Sequence, residues 1–246
     1  MQAFVIQSRL GSTRMPGKIL LPFAHEQSIL EIMVSLLRKN FPNIPIVMAT
    51  TTNDKDEPIV SFAKDRGLKI FRGDENNVLK RTVNAANEYG VTDIIRICSD
   101  NPFLHPTFVN ALIQDTSGAD YVSYEVDGLP TIRTHYGLFA ERVQLRALEQ
   151  ATKDQPDPFY LEHVTNYIYG NPDKFDCKWL DIEDHLIGLE NLRLTIDDPT
   201  DFKLAGEIYE AIVKESQFKL ADLKNYINSH PDLKEAMSQN KEKYSK

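Results

Sequence analysis

The chain has 246 residues, 41% of them hydrophobic, which is enough for one large α/β domain with a sizeable core. Its 36 acidic residues outnumber 28 basic ones, and a net charge of −8 argues against wholesale nucleic-acid binding. Two cysteines, Cys98 and Cys177, make neither a disulfide framework nor zinc spacing. Arg9 and Arg14 interrupt any early apolar run that could serve as a signal peptide, and no stretch approaches the roughly 20 apolar residues of a membrane span. These features predict a reduced, cytoplasmic protein without nucleic-acid or membrane partners.

In chain order, Ala3 to Ile6 reads as a first strand, and the stretch Gln7 to Leu20 leaves it. Helical apolar spacing follows over Ile29 to Lys39, then a strand over Ile44 to Ala49 and a helix over Pro58 to Arg66. Leu68 to Phe71 is a third strand, Val78 to Tyr89 a helix, Asp93 to Ile97 a fourth strand and Ala119 to Ser123 a fifth. Such alternation predicts a mostly parallel sheet with helices on both faces, whose ligands bind beyond the carboxyl ends of the strands. The segment Asp127 to Ala140, with Gly128, Pro130 and Gly137, breaks the alternation as a hairpin or excursion. Asp154 to Pro158 reads as a turn, Glu162 to Tyr169 as a helix, and Lys174 to Leu180 and Leu192 to Ile196 as strands. Helices over Pro199 to Glu215 and Leu220 to Ser229 close a single domain, 1–239, with an excursion at about 127–180. A polar, frayed tail follows over 240–246.

The loop after the first strand carries the strongest chemical signal. Arg9, Gly11, Ser12, Thr13, Arg14, Gly17 and Lys18 fall within ten positions. Small residues let a backbone approach a ligand, and clustered cations suit a polyanion. The spacing is neither that of a Walker A loop, whose Gly-Lys pair would come one residue sooner, nor the glycine pattern of a dinucleotide fold. An ordinary strand-to-helix loop with solvated basic residues is the alternative.

Arg9-Leu10-Gly11-Ser12-Thr13-Arg14-Met15-Pro16-Gly17-Lys18-Ile19-Leu20 resembles the opening signature of the spore coat polysaccharide biosynthesis type of cytidylyltransferase, a relative of the enzymes that activate sialic acids and KDO. Later segments resemble that family in order. They are Ala49 to Asp54 with Asp56-Glu57-Pro58-Ile59, Phe71 to Arg81, Arg96 to Pro102, Glu162-His163-Val164-Thr165, and Leu192 to Pro199. The resemblance implies a Rossmann-like nucleotide-diphospho-sugar transferase fold, CTP as nucleotide, magnesium as cofactor and a homodimer, to which Tyr160, Tyr167 and Tyr169 contribute or else serve core packing. It implies transfer of CMP to an anionic, sugar-like acceptor for surface polysaccharide or glycan synthesis, with pyrophosphate released. A different nucleotide, a sugar-phosphate acceptor, or a non-catalytic nucleotide-binding protein of the same fold are the alternatives.

Nucleotidyl transfer is mostly positioning and charge neutralisation. Arg9, Arg14 and Lys18, with amides around Gly11 and Ser12, can neutralise a triphosphate, and Arg9, Lys18 and Asp100 are the candidate catalytic groups. Magnesium favours one or two carboxylates plus phosphate oxygens, and Asp100 and Asp197 match the family's metal positions. Asp100 could instead form a turn, while Asp198 before Pro199 reads as a helix cap. Thr50 and Thr51 stand at a strand end where they could meet a nucleobase or simply start a helix. Arg72, Asp74, Lys80 and Arg81 are further phosphate or base candidates by resemblance, though Lys80 and Arg81 could equally be solvated. Cys98 reads as a small buried hydrophobe, and His163 as structural or near the acceptor. No Ser-His-Asp or Cys-His arrangement supports a covalent nucleophile.

Two positions depart from the family pattern. Ser99 stands where a glycine is common, next to the candidate metal ligand. Arg133, His135 and Tyr136 stand where an acidic pair is expected, so Arg133 and His135 are the candidate contacts for an anionic acceptor, or else parts of an exposed hairpin.

Overall fold

The computed structural model describes residues 1–246 apart from 155–156, 183–185, 190–191, 215–217 and 244–246; of 241–243 it describes the backbone alone. The elements run β1 (Gln2–Gln7), β2 (Pro22–Ala24), β3 (Gln27–Ser28), α1 (Ile29–Asn40), β4 (Ile46–Thr51), α2 (Glu57–Asp65), β5 (Lys69–Gly73), α3 (Val78–Glu88), β6 (Asp93–Cys98), α4 (Pro106–Gln114) and β7 (Tyr121–Val126). They continue through β8 (Leu129–Pro130), β9 (Glu141–Gln144), α5 (Leu145–Asp154), α6 (Pro158–Glu162), α7 (Asn166–Tyr169), β10 (Cys177–Leu180), α8 (Pro199–Ile212), α9 (Leu220–Ser229) and α10 (Pro231–Lys243).

Among the described residues, ten short strands make two sheets, and the large one has the order β10-β7-β9-β6-β1-β4-β5, with β8 on the margin of β7. β6, β1, β4 and β5 pair in parallel, as do β7 and β10, while β9 runs antiparallel between β6 and β7. Successive side chains of a strand face opposite ways. Phe4 and Ile6 therefore enter one core with Met33, Leu37 and Ile97, while Ala3 and Val5 enter a second with Leu79, Ala86 and Leu148. A parallel sheet covered on both faces needs such continuous apolar strands, and the result is the mixed, mostly parallel α/β architecture that the alternation predicts.

Local signals set the helix starts. Ser28 and Glu31 form a reciprocal capping box on α1: the Glu31 amide donates to Ser28 Oγ at 3.3 Å, and the Ser28 amide donates to Glu31 Oε2 at 2.8 Å. Asp198 caps α8 by accepting from the Asp201 amide at 2.9 Å, with Pro199 at the first helical position, as predicted.

Four expectations are corrected. Leu192–Ile196 is not a strand; its amides go to loop carbonyls, Leu194 at 2.8 Å and Thr195 at 3.2 Å both to His135, and Ile196 to Asp100 at 3.3 Å. Glu162 to Tyr169 is not one helix. α6 ends at Glu162, Val164 and Thr165 are buried, and Thr165 Oγ1 is drawn to Glu141 at 2.8 Å before α7 starts. The polar run from Asn240 does not begin as a frayed tail: α10 continues to Lys243 and Asn240 is buried; 244–246 lie outside the described residues. The helix expected to reach Glu215 ends at Ile212, where Val213 turns extended; Glu215 itself, and the middle of the turn at Asp154 to Pro158, lie outside the described residues. Finally, β9 and α5 follow the hairpin where no element was predicted. β9 buries charge beside the apolar Val143: Glu141 meets Arg96, and Arg142 bonds Asp93 at 2.8 Å.

The tyrosines of the aromatic run pack within the chain. Tyr160 stacks edge-on to Tyr167 at 5.3 Å between ring centroids, and Tyr169 lies against Tyr121 at 5.7 Å. Among the described residues, no helix is long and apolar enough to cross a membrane.

Candidate functional site

The carboxyl ends of β1 and β6 lie side by side, with Gln7 paired to Cys98. The loop after β1 folds back over this edge. Leu10 donates its amide to Asp56 Oδ1 at 2.7 Å, Gly17 donates to the Leu10 carbonyl at 3.1 Å, and Gly17 takes φ +74°, a conformation that favours glycine. Asp56 is buried and also accepts from Thr51 Oγ1, so one carboxylate ties the loop to the end of β4.

Between this loop and the opposite half of the sheet lies a cavity of about 410 Å³. Arg9, Ser12, Arg14, Lys18, Arg81, Asp100 and Asp197, all predicted site residues, line it together. Its remaining wall is formed by Arg96, Cys98, Ser99 and Asn101 at the end of β6, by Thr131, Ile132 and Thr134 after β8, by Glu141 of β9, and by Glu162 and His163. Cys98, expected as a buried hydrophobe, is half-buried and faces this cavity.

Cations and carboxylates meet in pairs here. Lys18 Nζ lies 3.3 Å from Asp100 Oδ2 and also donates to the Ile196 carbonyl. Arg14 Nη2 donates to Asp197 Oδ1 at 2.8 Å, and the fully buried Arg193 donates to Asp197 Oδ2 at 3.0 Å. Arg9 reaches Glu162 across the cavity mouth at 3.3 Å. Arg81 is buried; its Nη1 donates to the Asp74 and Glu75 carbonyls, and its Nε has no hydrogen-bond partner. Burial, and then the nearby charge of Arg9, pull the Arg81 guanidinium below its ordinary pKa. Like charges brought together at a cavity favour an anionic ligand.

The floor is a buried ion pair that sequence reasoning missed as a site. Arg96 donates through Nη1 to Glu141 and through Nε to Gln7 Oε1 at 3.0 Å, while the other Glu141 oxygen accepts from Tyr121 and Thr165. Burial works against the Arg96 charge, yet the Cys98 and Glu141 groups beside it hold its pKa above the ordinary value. Its signal was present as a lone arginine inside the apolar run Ile94-Ile95-Arg96-Ile97.

Other predicted residues lie away from the cavity wall. Gly11 is exposed on the loop, beside Glu75. Thr50 and Thr51 are fully buried, and the Thr51 hydroxyl is used by Asp56. Arg72 braces the end of β4, donating to the carbonyls of Thr51 at 2.9 Å and Asn53 at 3.1 Å, and pairs with Glu57 at 2.7 Å. Arg133 is exposed outside the cavity. His135 is buried beneath it, where Nδ1 accepts from Arg193 Nη1 at 2.7 Å and lies 3.3 Å from Thr195 Oγ1. The expected anionic-acceptor contact through these two side chains is therefore not formed by the cavity wall. Gly137 explains the placement of His135: a Cβ there would come within 2.9 Å of the Leu194 backbone, so glycine lets the two segments run together.

Among the described residues, no three acidic, histidine or cysteine side chains cluster as a self-contained metal site. Asp100 and Asp197 around the cavity instead fit a cation that takes the rest of its oxygens from a phosphate ligand.

A family model described as cytidylyltransferase matches residues 3–241. The spore coat polysaccharide biosynthesis protein SpsF of Bacillus subtilis is 30% identical over 240 residues, 93% of this chain and 95% of that protein. An uncharacterized protein of Methanocaldococcus jannaschii is 33% identical over 244 residues, 97% of this chain and 95% of that one. The structure of a cytidylyltransferase from Leptospira borgpetersenii superposes with a TM-score of 0.78 at 26% identity, covering 94% of this chain and 95% of that one. CMP:2-keto-3-deoxy-manno-octonic acid synthetase, solved with CTP, shares the fold at a TM-score of 0.63 and 13% identity, over 85% of this chain and 98% of that one.

Proposed function

This chain belongs to the cytidylyltransferase family and is a nucleotidyltransferase, and from that premise we propose that it transfers CMP from CTP to an anionic, sugar-like acceptor with magnesium as cofactor. The observation that carries this reading is the joint placement of Arg9, Arg14, Lys18, Asp100 and Asp197 around one cavity. An acceptor oxygen attacks the α-phosphorus of CTP, the bond to the β-phosphate oxygen breaks, pyrophosphate leaves, and the acceptor proton passes to solvent. Arg9, Arg14 and Lys18 bind the phosphates and neutralise charge as it shifts toward the leaving group. Magnesium, held by Asp100 and Asp197, would supply Lewis-acid stabilisation of the phosphate oxygens.

The charge balance supports a metal. Five cationic and four acidic side chains line the cavity among the described residues, leaving little net positive charge to meet a triphosphate. The acceptor would lie against Thr131, Ile132, Thr134, Glu162 and His163, the part of the wall remote from the loop in sequence. The spore coat relative's name supports a place in surface polysaccharide or glycan synthesis, and we include a cytoplasmic homodimer in the same proposal.

The test is thermal stabilisation by each of the four nucleoside triphosphates with and without magnesium, followed by pyrophosphate release with a panel of sugar acids and sugar phosphates. A ligand that binds the folded state raises the melting temperature by mass action. Selective stabilisation by CTP with magnesium, and pyrophosphate release with a sugar acid, are expected. Preference for another nucleotide would overturn the CTP assignment. Release only with sugar phosphates would overturn the acceptor class, and CTP binding without turnover on any acceptor would leave a nucleotide-binding protein.

A further inference from the structure

We propose that Asn240, on the C-terminal helix α10, is a positioning residue for Asp197 and acts on it through Asp201 and Arg193. The inference rests on the reading of Asp197 as a metal ligand. Asn240 Nδ2 donates to Asp201 Oδ1 at 2.6 Å and lies 3.4 Å from Asp198 Oδ1, the cap of α8. Asp201 receives Arg193 through two bonds, Nε to Oδ1 and Nη2 to Oδ2, both 2.7 Å. Arg193 Nη2 in turn reaches Asp197 Oδ2 at 3.0 Å, and the Asp197 amide donates to Asp201 Oδ2 at 2.9 Å. Both the backbone and the inner oxygen of Asp197 are thus fixed by groups that Asn240 holds.

Charge explains what the arrangement is for. Arg193 pairs with Asp197 and Asp201, and Asp198 is buried beside them. Asp197 turns Oδ2 inward to Arg193 and Oδ1 to the cavity, where Arg14 sits at 2.8 Å. The Arg193 side chain is 0% exposed and the Arg14 side chain 44% exposed, so the inner counter-ion is permanent and the outer one exchangeable. A cation arriving with a nucleotide would meet a carboxylate already aimed, while Arg14 turns to the phosphates.

Asn240 suits a positioning role better than a packing one. It is 7% exposed, and its neighbour on the same helix face, Met237, already anchors α10 in the apolar core at 2% exposed. An apolar side chain at 240 would avoid the cost of burying an amide. The amide instead gives Asp201 a neutral donor, which restrains that carboxylate without cancelling its charge.

The experiment compares Asn240→Ala with Met237→Ala, a change on the same helix that leaves Asp201 untouched. The readout is equilibrium CTP binding followed by thermal shift across a magnesium titration, with Asp197→Asn as reference. Outer partners of metal ligands change metal affinity by about 10-fold to 100-fold when lost. Asn240→Ala should raise the magnesium needed for half-maximal stabilisation about tenfold, leave metal-free CTP affinity unchanged, and lower the unliganded melting temperature less than Met237→Ala does. Met237→Ala should leave the magnesium midpoint in place. Equal midpoint shifts in both variants, or no shift in Asn240→Ala, would overturn the positioning role. If Asp197→Asn itself leaves the magnesium dependence intact, the metal-ligand reading of Asp197 falls instead.

Discussion

The main-chain amide of Ile196 donates to the carbonyl oxygen of Asp100 across 3.3 Å. That bond joins two segments far apart in sequence and brings Asp197 to the cavity that Asp100 also lines. Lys18 bridges the same two segments from the loop after β1, through the Asp100 carboxylate and the Ile196 carbonyl.

Replacing Asp100 with Asn keeps the size of the side chain and removes its charge. Metal-dependent turnover should fall by about 10²- to 10³-fold, the scale of losing one aligned electrostatic group in an active site. Metal-free CTP binding, measured by thermal shift, should persist. Turnover equal to the parent enzyme would remove Asp100 from the metal site.

Lys18→Ala tests the phosphate cradle. It should raise KM for CTP and lower kcat together, because a cation that follows charge onto the leaving pyrophosphate contributes more in the transition state than in the ground state. An unchanged kcat with a raised KM would assign Lys18 to ground-state binding alone.

Thr51→Val separates a structural hydroxyl from a base-reading one. The Thr51 hydroxyl donates to buried Asp56, which also accepts from the Leu10 amide at 2.7 Å. Unpairing that carboxylate should cost about 1–3 kcal/mol of stability by denaturant unfolding. Nucleotide preference should stay as it is; a change in the ranking of the four triphosphates would restore Thr51 as a base contact.

Glu141→Ala leaves Arg96 charged and buried without its partner. The loss should be about 3–5 kcal/mol, whereas the double change Arg96→Met with Glu141→Leu should recover part of it, since an apolar pair removes the unpaired charge but leaves the Tyr121 and Thr165 hydroxyls without their acceptor. Unfolding midpoints of the three proteins give the comparison. If the double variant is stable yet inactive, the ion pair serves the reaction as well as the fold.

Asp115 provides a pH control remote from the cavity. Burial raises its pKa, but hydrogen bonds from Lys178 and Ser117 outweigh this and bring it from 3.8 to about 2. A carboxyl lowered in the folded state contributes stability above its ordinary value, and loses it as pH falls toward about 2. With Lys178 partly in solvent, the contribution should be about 1 kcal/mol after screening. Asp115→Asn should flatten the acid limb of stability between 3.8 and about 2, seen by denaturant unfolding at stepped pH.

The elements that sequence reading placed well are those that apolar periodicity alone decides. β1, β4, β5, β6 and β7, with α1, α2 and α3, fall within a few residues of their expected ranges. The loop from Arg9 to Lys18 was legible because its residue types are chemically specific, and Asp100 and Asp197 because they match positions of the family they resemble; all line one cavity. β9 was not, because its pairing relies on Glu141 and Arg142 meeting charges on β6, which a hydropathy pattern reads as surface. Leu192–Ile196 was misread for the opposite reason: its alternation is that of a strand, but its donors meet carbonyls in a loop. His135 looked like a ligand until Arg193, distant in sequence, claimed its ring nitrogen. The Asn240 connection had no local signal, since its partners lie about forty residues earlier.

The pairing of β1 with β6, Gln2 opposite Asp93 and Gln7 opposite Cys98, bears on how the molecule comes to be active. Two central strands separated by some ninety residues must find each other before the loop after β1 has a surface to fold against, and closing so long a loop is entropically costly before contacts reward it. Refolding should be slow relative to a helical bundle of this size. Nucleotide-binding competence should appear in its final phase, after most helical signal has returned, so a partly folded chain would present compact secondary structure with its triphosphate cradle still unformed.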